Sequence, residues 1–145
     1  NDYIIYTDGN EKILVGYSGT ETDLILPSCV TKIYQYAFDG CSSLTSVTIP
    51  NSVTTIEEYA FSKSGLTSIT IPDSVTAIGG RAFEECSSLI YVYCKATTPP
   101  ALGNSNVFDD NASGRRIIVP IGSGEAYKTA KYWSGYADSI FEDEF

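Results

Sequence analysis

A solenoid of stacked short strands, an α/β fold in which β dominates, is the architecture this sequence predicts. Three observations predict it. One phrase recurs: Val-Thr-Lys-Ile-Tyr-Gln-Tyr-Ala-Phe at 30–38, Val-Thr-Thr-Ile-Glu-Glu-Tyr-Ala-Phe at 53–61 and Val-Thr-Ala-Ile-Gly-Gly-Arg-Ala-Phe at 75–83. The spacing is nearly constant, with 23 residues from Phe38 to Phe61 and 22 from Phe61 to Phe83. Each copy then runs into an alternating, strand-like ending closed by proline: Leu24-Ile25-Leu26-Pro27, Val47-Thr48-Ile49-Pro50 and Ile69-Thr70-Ile71-Pro72. A fixed period in the twenties makes each repeat one rung of a right-handed stack. The rungs lie parallel, so matching positions form ladders and their strands a parallel sheet.

The elements follow in order along one domain spanning residues 1–145. Residues 1–23 hold a β-hairpin and the start of a partial first repeat. Tyr3-Ile4-Ile5-Tyr6 and Lys12-Ile13-Leu14-Val15-Gly16-Tyr17 flank an Asp8-Gly9 turn, a hairpin pattern. A solenoid needs its first rung covered, and this hairpin is placed to be the N-terminal cap. Residues 24–95 carry the regular 22–23-residue repeats. The third full rung ends Leu89-Ile90-Tyr91-Val92-Tyr93-Cys94, with Lys95 where the others have proline. Thr97-Thr98-Pro99-Pro100 breaks the register, and residues 96–120 read as a degenerate fourth rung: Val107-Phe108 is a worn Ala-Phe, and Ile117-Ile118-Val119-Pro120 a last strand. Residues 121–145 change period. The stretch 123–133 predicts a helix with Ser123 as N-cap and Glu125 near its positive end. Ala126, Tyr127, Ala130 and Trp133 fall on one side of it. This helix is expected to close the last rung, with Ile140 and Phe141 beneath it and Glu142 to Glu144 frayed into solvent.

Within a rung, alternation sends Val47 and Ile49 inward and Ser46 and Thr48 outward. Phe38, Phe61 and Phe83 are expected to stack as an internal aromatic column. The outward ladder reads Asp23/Ile25, Ser46/Thr48, Ser68/Thr70, Tyr91/Tyr93 and Arg116/Ile118.

The 145 residues are 43% hydrophobic, enough for a core, and carry a net charge of −9. That balance and the scattered basic residues argue against nucleic acid, which needs clustered Lys and Arg. No apolar run reaches the length of a membrane span. There is no Met and no leader pattern, so the chain reads as a processed or truncated piece of a longer precursor. Cys29, Cys41, Cys86 and Cys94 form no Cys-x-x-Cys pair and have no His to join. Cys41 and Cys86 share a repeat position two rungs apart, about 10 Å at the usual strand spacing, beyond the roughly 7 Å reach of a disulfide. Four buried free thiols are expected.

The phrase from Ile33 to Pro50, Ile-x-x-x-Ala-Phe-x-x-Cys-Ser-Ser-Leu-Thr-Ser-Val-Thr-Ile-Pro, resembles the BspA-type leucine-rich repeat. Val119-Pro120, Ala126-Tyr127-Lys128, Trp133 and Tyr136-Ala137 resemble the C-terminal closure of such proteins. The likeness covers about residues 24 to 141. Rung two departs from it, with Ser64-Gly65 in place of Cys-Ser-Ser, a one-residue deletion expected to tighten a turn. The family occurs on surface and secreted proteins of anaerobic gut and oral bacteria and in some parasitic protists. The resemblance therefore implies an extracellular or cell-surface setting and a role in adhesion or protein recognition, and supplies no catalytic residues.

The residues themselves supply none either. Without His, Ser-His-Asp and Cys-His nucleophiles are excluded, Ser-x-x-Lys is missing, and no phosphate-binding loop occurs. Glu57-Glu58 and Glu84-Glu85, the candidates for a carboxylate pair, read as solvated charges at matching turn positions of successive rungs. Asp109-x-Asn111-x-Ser113-Gly114 imitates the start of a calcium loop, but the twelfth position, which needs a bidentate Glu, is Pro120. No cofactor, metal or catalytic residue is assigned. The candidate ligand-facing surface is Ser46, Thr48, Ser68, Thr70, Tyr91 and Tyr93. The two tyrosines replace small polar residues on an outward ladder, and exposed aromatics suit recognition unless the loop at 96–106 covers them. The partner expected is a host or microbial surface protein or a glycan. The alternative is a structural spacer or accessory domain of a larger exported protein.

Overall fold

The computed structural model describes residues 2–145. The chain opens with a hairpin, β1 (Tyr3–Asp8) and β2 (Glu11–Tyr17), paired antiparallel through a turn at Gly9-Asn10. Two-residue and longer strands then alternate: β3 (Asp23–Ile25), β4 (Lys32–Ile33), β5 (Ser46–Thr48), β6 (Thr55–Ile56), β7 (Ser68–Ile71), β8 (Ala77–Ile78), β9 (Tyr91–Cys94), β10 (Ala101–Leu102) and β11 (Arg116–Pro120). A short helix α1 (Gly124–Thr129), a 3-10 turn (Trp133–Ser139) and β12 (Ile140–Asp143) complete it.

Each rung contributes one strand to each of two sides, which gives a mostly-β solenoid. One side is a six-stranded sheet in the order β1-β2-β4-β6-β8-β10. The hairpin joins it through β2, whose Ile13 and Leu14 lie opposite Lys32 and Ile33 of β4 in parallel. On the other side the expected single sheet is split, into β3-β5 and β12-β11-β9-β7. The break between β5 and β7 falls beside the rung that lost a residue. There the Gly65 N–H reaches the Cys41 carbonyl at 3.1 Å, and a Cβ on Gly65 would run into the Ser42 carbonyl oxygen. The deletion does tighten this turn, and Gly is required because the rungs touch backbone to backbone. The hairpin therefore covers the first rung on one side only. On the other, β3 pairs only with β5, and Ile25 is 78% exposed.

The core is an aromatic column. Phe38 and Phe61 stack at 5.0 Å with ring planes 2° apart, Phe61 and Phe83 at 5.4 Å, and Phe83 and Phe108 at 5.6 Å. Rungs spaced at about the strand separation hold parallel rings in offset contact. The column runs on to both ends, through Tyr17 and Tyr3 on one side and Trp133, Tyr127 and Tyr136 on the other. Around it Val30, Val53 and Val75, Ile33, Ile56 and Ile78, and Leu44, Leu66 and Leu89 are all buried.

Left-handed backbone recurs at fixed positions. Two residues before the column stand Tyr36, Tyr59 and Arg81; two after it stand Gly40, Lys63, Glu85 and Asp110, all with φ near +60° to +75°. For a residue other than Gly this costs roughly 1–2 kcal/mol. The compensation is visible in the amides so turned. Tyr36 donates to the Glu58 carbonyl, Tyr59 to Gly80, Lys63 to Glu84 and Glu85 to Asp109, each at 2.9–3.1 Å. The strain is local and the bonds it aims join one rung to the next. Three residues after the column stand Cys41, Ser64, Cys86 and Asn111. Cys86 Sγ donates to the Phe61 carbonyl at 3.0 Å and Asn111 Nδ2 to the Phe83 carbonyl at 2.8 Å.

Several expectations need correcting. All four cysteines are free, but Cys29 is exposed and Cys41 half-buried; only Cys86 and Cys94 are buried. Ser64 stands between Cys41 and Cys86 in the column of rungs, and its hydroxyl lies 3.3 Å from Cys86 Sγ. The terminal helix is six residues, not eleven. It stops at Ala130, whose backbone is extended (ψ 149°), and Tyr132 at φ +67° then leads into the 3-10 turn that opens on the buried Trp133. Ala126 is exposed. Ser123 does not cap the helix through its side chain; its hydroxyl donates to the Pro120 carbonyl at 2.6 Å. The tail is not frayed through Glu142 and Asp143. Residues 140–143 pair in parallel with β11, and Glu142 Oε2 accepts the Gly124 N–H at 2.7 Å, the free amide at the start of α1. Ile140 is buried as expected, whereas Phe141 is 41% exposed on the opposite face. Glu57-Glu58 and Glu84-Glu85 do not match in the rungs. Glu57 occupies the place of Gly79, both donating to the isoleucine carbonyl one rung back, while Glu84 follows the column residue as Ser62 does.

Candidate interaction surface

Period-two alternation along β7, β9, β11 and β12 puts two rows of side chains on the outer face of the four-stranded sheet. One row aligns Ser68, Tyr91 and Arg116; the other aligns Thr70, Tyr93, Ile118 and Phe141. Their partners Ile69, Val92, Ile117 and Ile140 are buried. The Tyr91 and Tyr93 rings lie 6.0 Å apart, and Tyr91 is 41% exposed. Phe145 meets Tyr93 edge-on at 6.3 Å, and the Arg116 guanidinium sits 4.6 Å over the Phe141 ring. Among the described residues neither tyrosine hydroxyl is hydrogen-bonded to the loop at 96–106. That loop is held from the other side, where Tyr127, Trp133 and Tyr136 donate to the carbonyls of Ala96, Pro100 and Ser105 at 2.6–2.7 Å.

The six sequence-selected residues are thus only partly brought together. Ser68, Thr70, Tyr91 and Tyr93 share one continuous sheet. Ser46 and Thr48 lie across the break, in the β3-β5 pair, and the Ser46 hydroxyl donates to Asp23 at 2.8 Å. Sequence reasoning missed Phe141 and Phe145, which complete the aromatic patch. The sequence offered little signal for them: Ile140-Phe141 is a short apolar pair at the head of an acidic tail, and Phe145 is the last residue. It also missed a second aromatic pair on the turns, an exposed Tyr36 and a half-buried Tyr59. Tyr36 and Tyr59 stack at 4.7 Å, and Arg81 donates to the Tyr59 hydroxyl at 3.0 Å. These stand at the same repeat position, two residues before Phe38, Phe61 and Phe83, so the repeat alignment carried that signal.

The remaining chemical candidates are absorbed into packing. Asp109 accepts from Tyr136 and Asn106, and Asn111 donates to Phe83 and accepts from Arg115. The letters that imitate a calcium loop are therefore hydrogen-bonded within the fold. Among the described residues no three His, Cys, Asp or Glu side chains are grouped to hold a metal, and no helix is long and apolar enough to cross a membrane. Burial raises the thiols of Cys86 and Cys94, which keeps them protonated and poorly nucleophilic.

Glu57 is the exception. Its Oε2 is buried without a hydrogen-bond partner among the described residues. Desolvation raises its carboxyl above the usual 4.5; Lys32 pulls it down, and Glu11 and Glu58 push it up further. A carboxyl raised by folding is neutral in both states at low pH. It costs stability as pH rises from the ordinary value through the folded one. Glu57→Gln should therefore raise the melting temperature at pH 7, with the gain shrinking as pH falls toward 4.5. A gain that ignores pH, or a loss at pH 7, would count against this reading.

The BspA type leucine rich repeat region matches residues 17–122 in six copies, more than the partial, three full and one degenerate rung read from the sequence. Among solved structures, a leucine rich repeat protein of T. pallidum superposes with a TM-score of 0.63 at 26% identity, covering 82% of this chain and 67% of its own. A leucine-rich repeat protein from Eubacterium ventriosum gives 0.58 at 28% identity, over 82% of this chain. The chain spans only 33% of that second protein. The pneumococcal vaccine antigen PcpA shares the fold at 15% identity, with a TM-score of 0.54 over 84% of this chain and 49% of its own. No curated protein matches the chain.

Proposed function

We propose a function from one established premise: the chain belongs to the BspA-type leucine-rich repeat family. It is a non-catalytic recognition module of a cell-surface or secreted protein, and the sheet face bearing Tyr91 and Tyr93 contacts a host or microbial surface protein. The exported setting follows from the family resemblance.

The observation that carries this reading is the aromatic patch of Tyr91, Tyr93 and Phe141 on backbone tied into a sheet, with Phe145 just past its last strand. Tyr91, Phe141 and Phe145 are 41%, 41% and 58% exposed. Large aromatics held on rigid strands offer contact area at low entropic cost, and such residues anchor interfaces. The hydroxyls of Ser68 and Thr70 beside them can donate and accept. A spacer has no need of such a patch, because exposed aromatics cost solubility and contribute nothing to the core.

The test is a Tyr91→Ala, Tyr93→Ala double variant in a binding screen against immobilised extracellular-matrix and bacterial surface proteins. A partner of the parent should bind the variant about tenfold or more weakly, about 1–2 kcal/mol on the usual hot-spot scale, with the melting temperature little changed. Undiminished binding by the double variant would move the interface elsewhere.

A further inference from the structure

The six-stranded sheet carries a hollow on its outer side. Cross-strand register aligns Lys32, Thr55, Ala77 and Ala101 on β4, β6, β8 and β10. The next position along each rung is Tyr34, Glu57, Gly79 and Gly103, each donating its N–H to the rung before. Side chains therefore shrink over the first three rungs of both rows and stay small at the fourth. The result is a mainly apolar hollow of about 300 Å³ over Ala77, Gly79, Ala101 and Gly103, walled by Glu57 and Glu58. Its floor cannot be filled from within, because a Cβ on Gly79 would run into the Glu58 amide.

The wall is electrostatically incomplete. Glu57 and Glu58 both line the hollow, and Glu57 Oε2 is itself buried without a hydrogen-bond partner among the described residues. The neighbouring cation, Lys32, whose charge also reaches Glu57, lies 3.6 Å from Glu11 and is shared with it, and the chain as a whole is at −9. An apolar occupant would cover Glu57 and deepen its desolvation, and an acidic one would be repelled. A long basic side chain answers both features: its methylene stem suits the Ala and Gly floor and its charged head suits the carboxylates.

We propose that this hollow receives a Lys or Arg side chain of a protein partner, stem on Ala77 and Ala101, head at Glu57 and Glu58. The site stands on a different sheet from Tyr91 and Tyr93, so it is a second contact and does not depend on the first. Its probe is N-acetyl-lysine methylamide, compared by amide NMR with N-acetyl-norleucine methylamide, which has a similar stem and no charge. Saturable shifts at Ala77, Gly79 and Gly103 are expected with the lysine probe, at least fivefold stronger than with norleucine. They should disappear in Glu57→Gln, which removes the charge, and in Ala101→Leu, which fills the hollow and keeps it. The Tyr91→Ala, Tyr93→Ala variant should respond as the parent does. Equal response to norleucine, persistence in either groove variant, or no saturable shift in the parent would each overturn the proposal. Melting curves of both variants check that a lost response is not a lost fold.

Discussion

Phe61→Ala is expected to destabilise the protein by about 3–5 kcal/mol, on the order of 10 °C in melting temperature for a chain of this size. Phe61 is 0% exposed and sits between Phe38 and Phe83, with both ring contacts nearly parallel. The cavity cannot close by collapse. The Phe38 N–H is bonded to the Ala60 carbonyl at 2.7 Å and the Phe61 N–H to the Ala82 carbonyl at 2.8 Å, so the rungs keep their spacing when the ring is gone. A cost near the top of the range follows, since the penalty grows with the volume left empty. The position adds a second consequence. In a solenoid each rung contacts only its neighbours, so a weak central interface divides the stack into halves that unfold separately. Calorimetry should show a lower and broader transition. A transition as sharp as the parent's, within about 2 °C of its midpoint, would dispose of the column as the main source of stability.

The column was legible because it obeys a period. Phe38, Phe61 and Phe83 fall at steps of 23 and 22 residues, and Val107-Phe108 keeps enough of the phrase to be placed as the next rung. The outward aim of Tyr91 and Tyr93 followed from a period of two once Val92 and Cys94 were assigned inward. What escaped lies where a neighbour decides the conformation. Nothing in Thr129-Ala130-Lys131 marks a break, since it holds neither Gly nor Pro, yet Ala130 is extended. The break is set by tertiary contact, because Trp133 must reach the Pro100 carbonyl and the Phe108 ring. The strand at 140–143 likewise exists because β11 offers an unpaired edge; alone, four residues with two acids carry little strand preference. The split between β5 and β7 came from a deletion visible in the sequence, but its effect on pairing depends on how closely two turns approach. Glu57 illustrates a different loss. Paired acidic letters suggested one repeat position shared with Glu84, whereas counting from Phe61 and Phe83 separates them.

These two kinds of position also divide the functional surfaces. The periodic residues build the scaffold and must agree from rung to rung. The candidate contact sites are places where the repeat is broken: tyrosines where the two preceding rungs have Ser and Thr, and a row that falls to Ala and Gly beside Glu57 and Glu58. In a repeat protein, a departure that costs the scaffold little is where recognition can be placed without disturbing the stack.

Trp133→Ala should match or exceed the cost of Phe61→Ala, by a different route. Trp133 is 1% exposed, edge-on to Tyr127 at 5.0 Å and tilted against Phe108 at 5.6 Å. Truncation leaves a cavity worth about 3–5 kcal/mol. It also strips the partner from the Pro100 carbonyl, bonded to Nε1 at 2.7 Å, and a buried orphan acceptor adds roughly 1–3 kcal/mol. Trp133→Phe shifts the balance between the two terms, since it keeps a ring against Phe108 while losing the whole hydrogen bond and only part of the buried volume; it should cost distinctly less than the alanine change. The damage should be local, because the residue closes one end of the stack. Hydrogen exchange ought to quicken first in β10, β11 and the loop at 96–106, while β4 and β6 stay protected. The released loop should become the first site of proteolysis, having lost one of its three carbonyl anchors. If β4 and β6 open together with β10 and β11, the stack melts as one unit and the terminal aromatics are not an independent lid. If Trp133→Phe proves as harmful as Trp133→Ala, the hydrogen bond to Pro100 outweighs the packing, and the closure of the last rung is polar rather than aromatic.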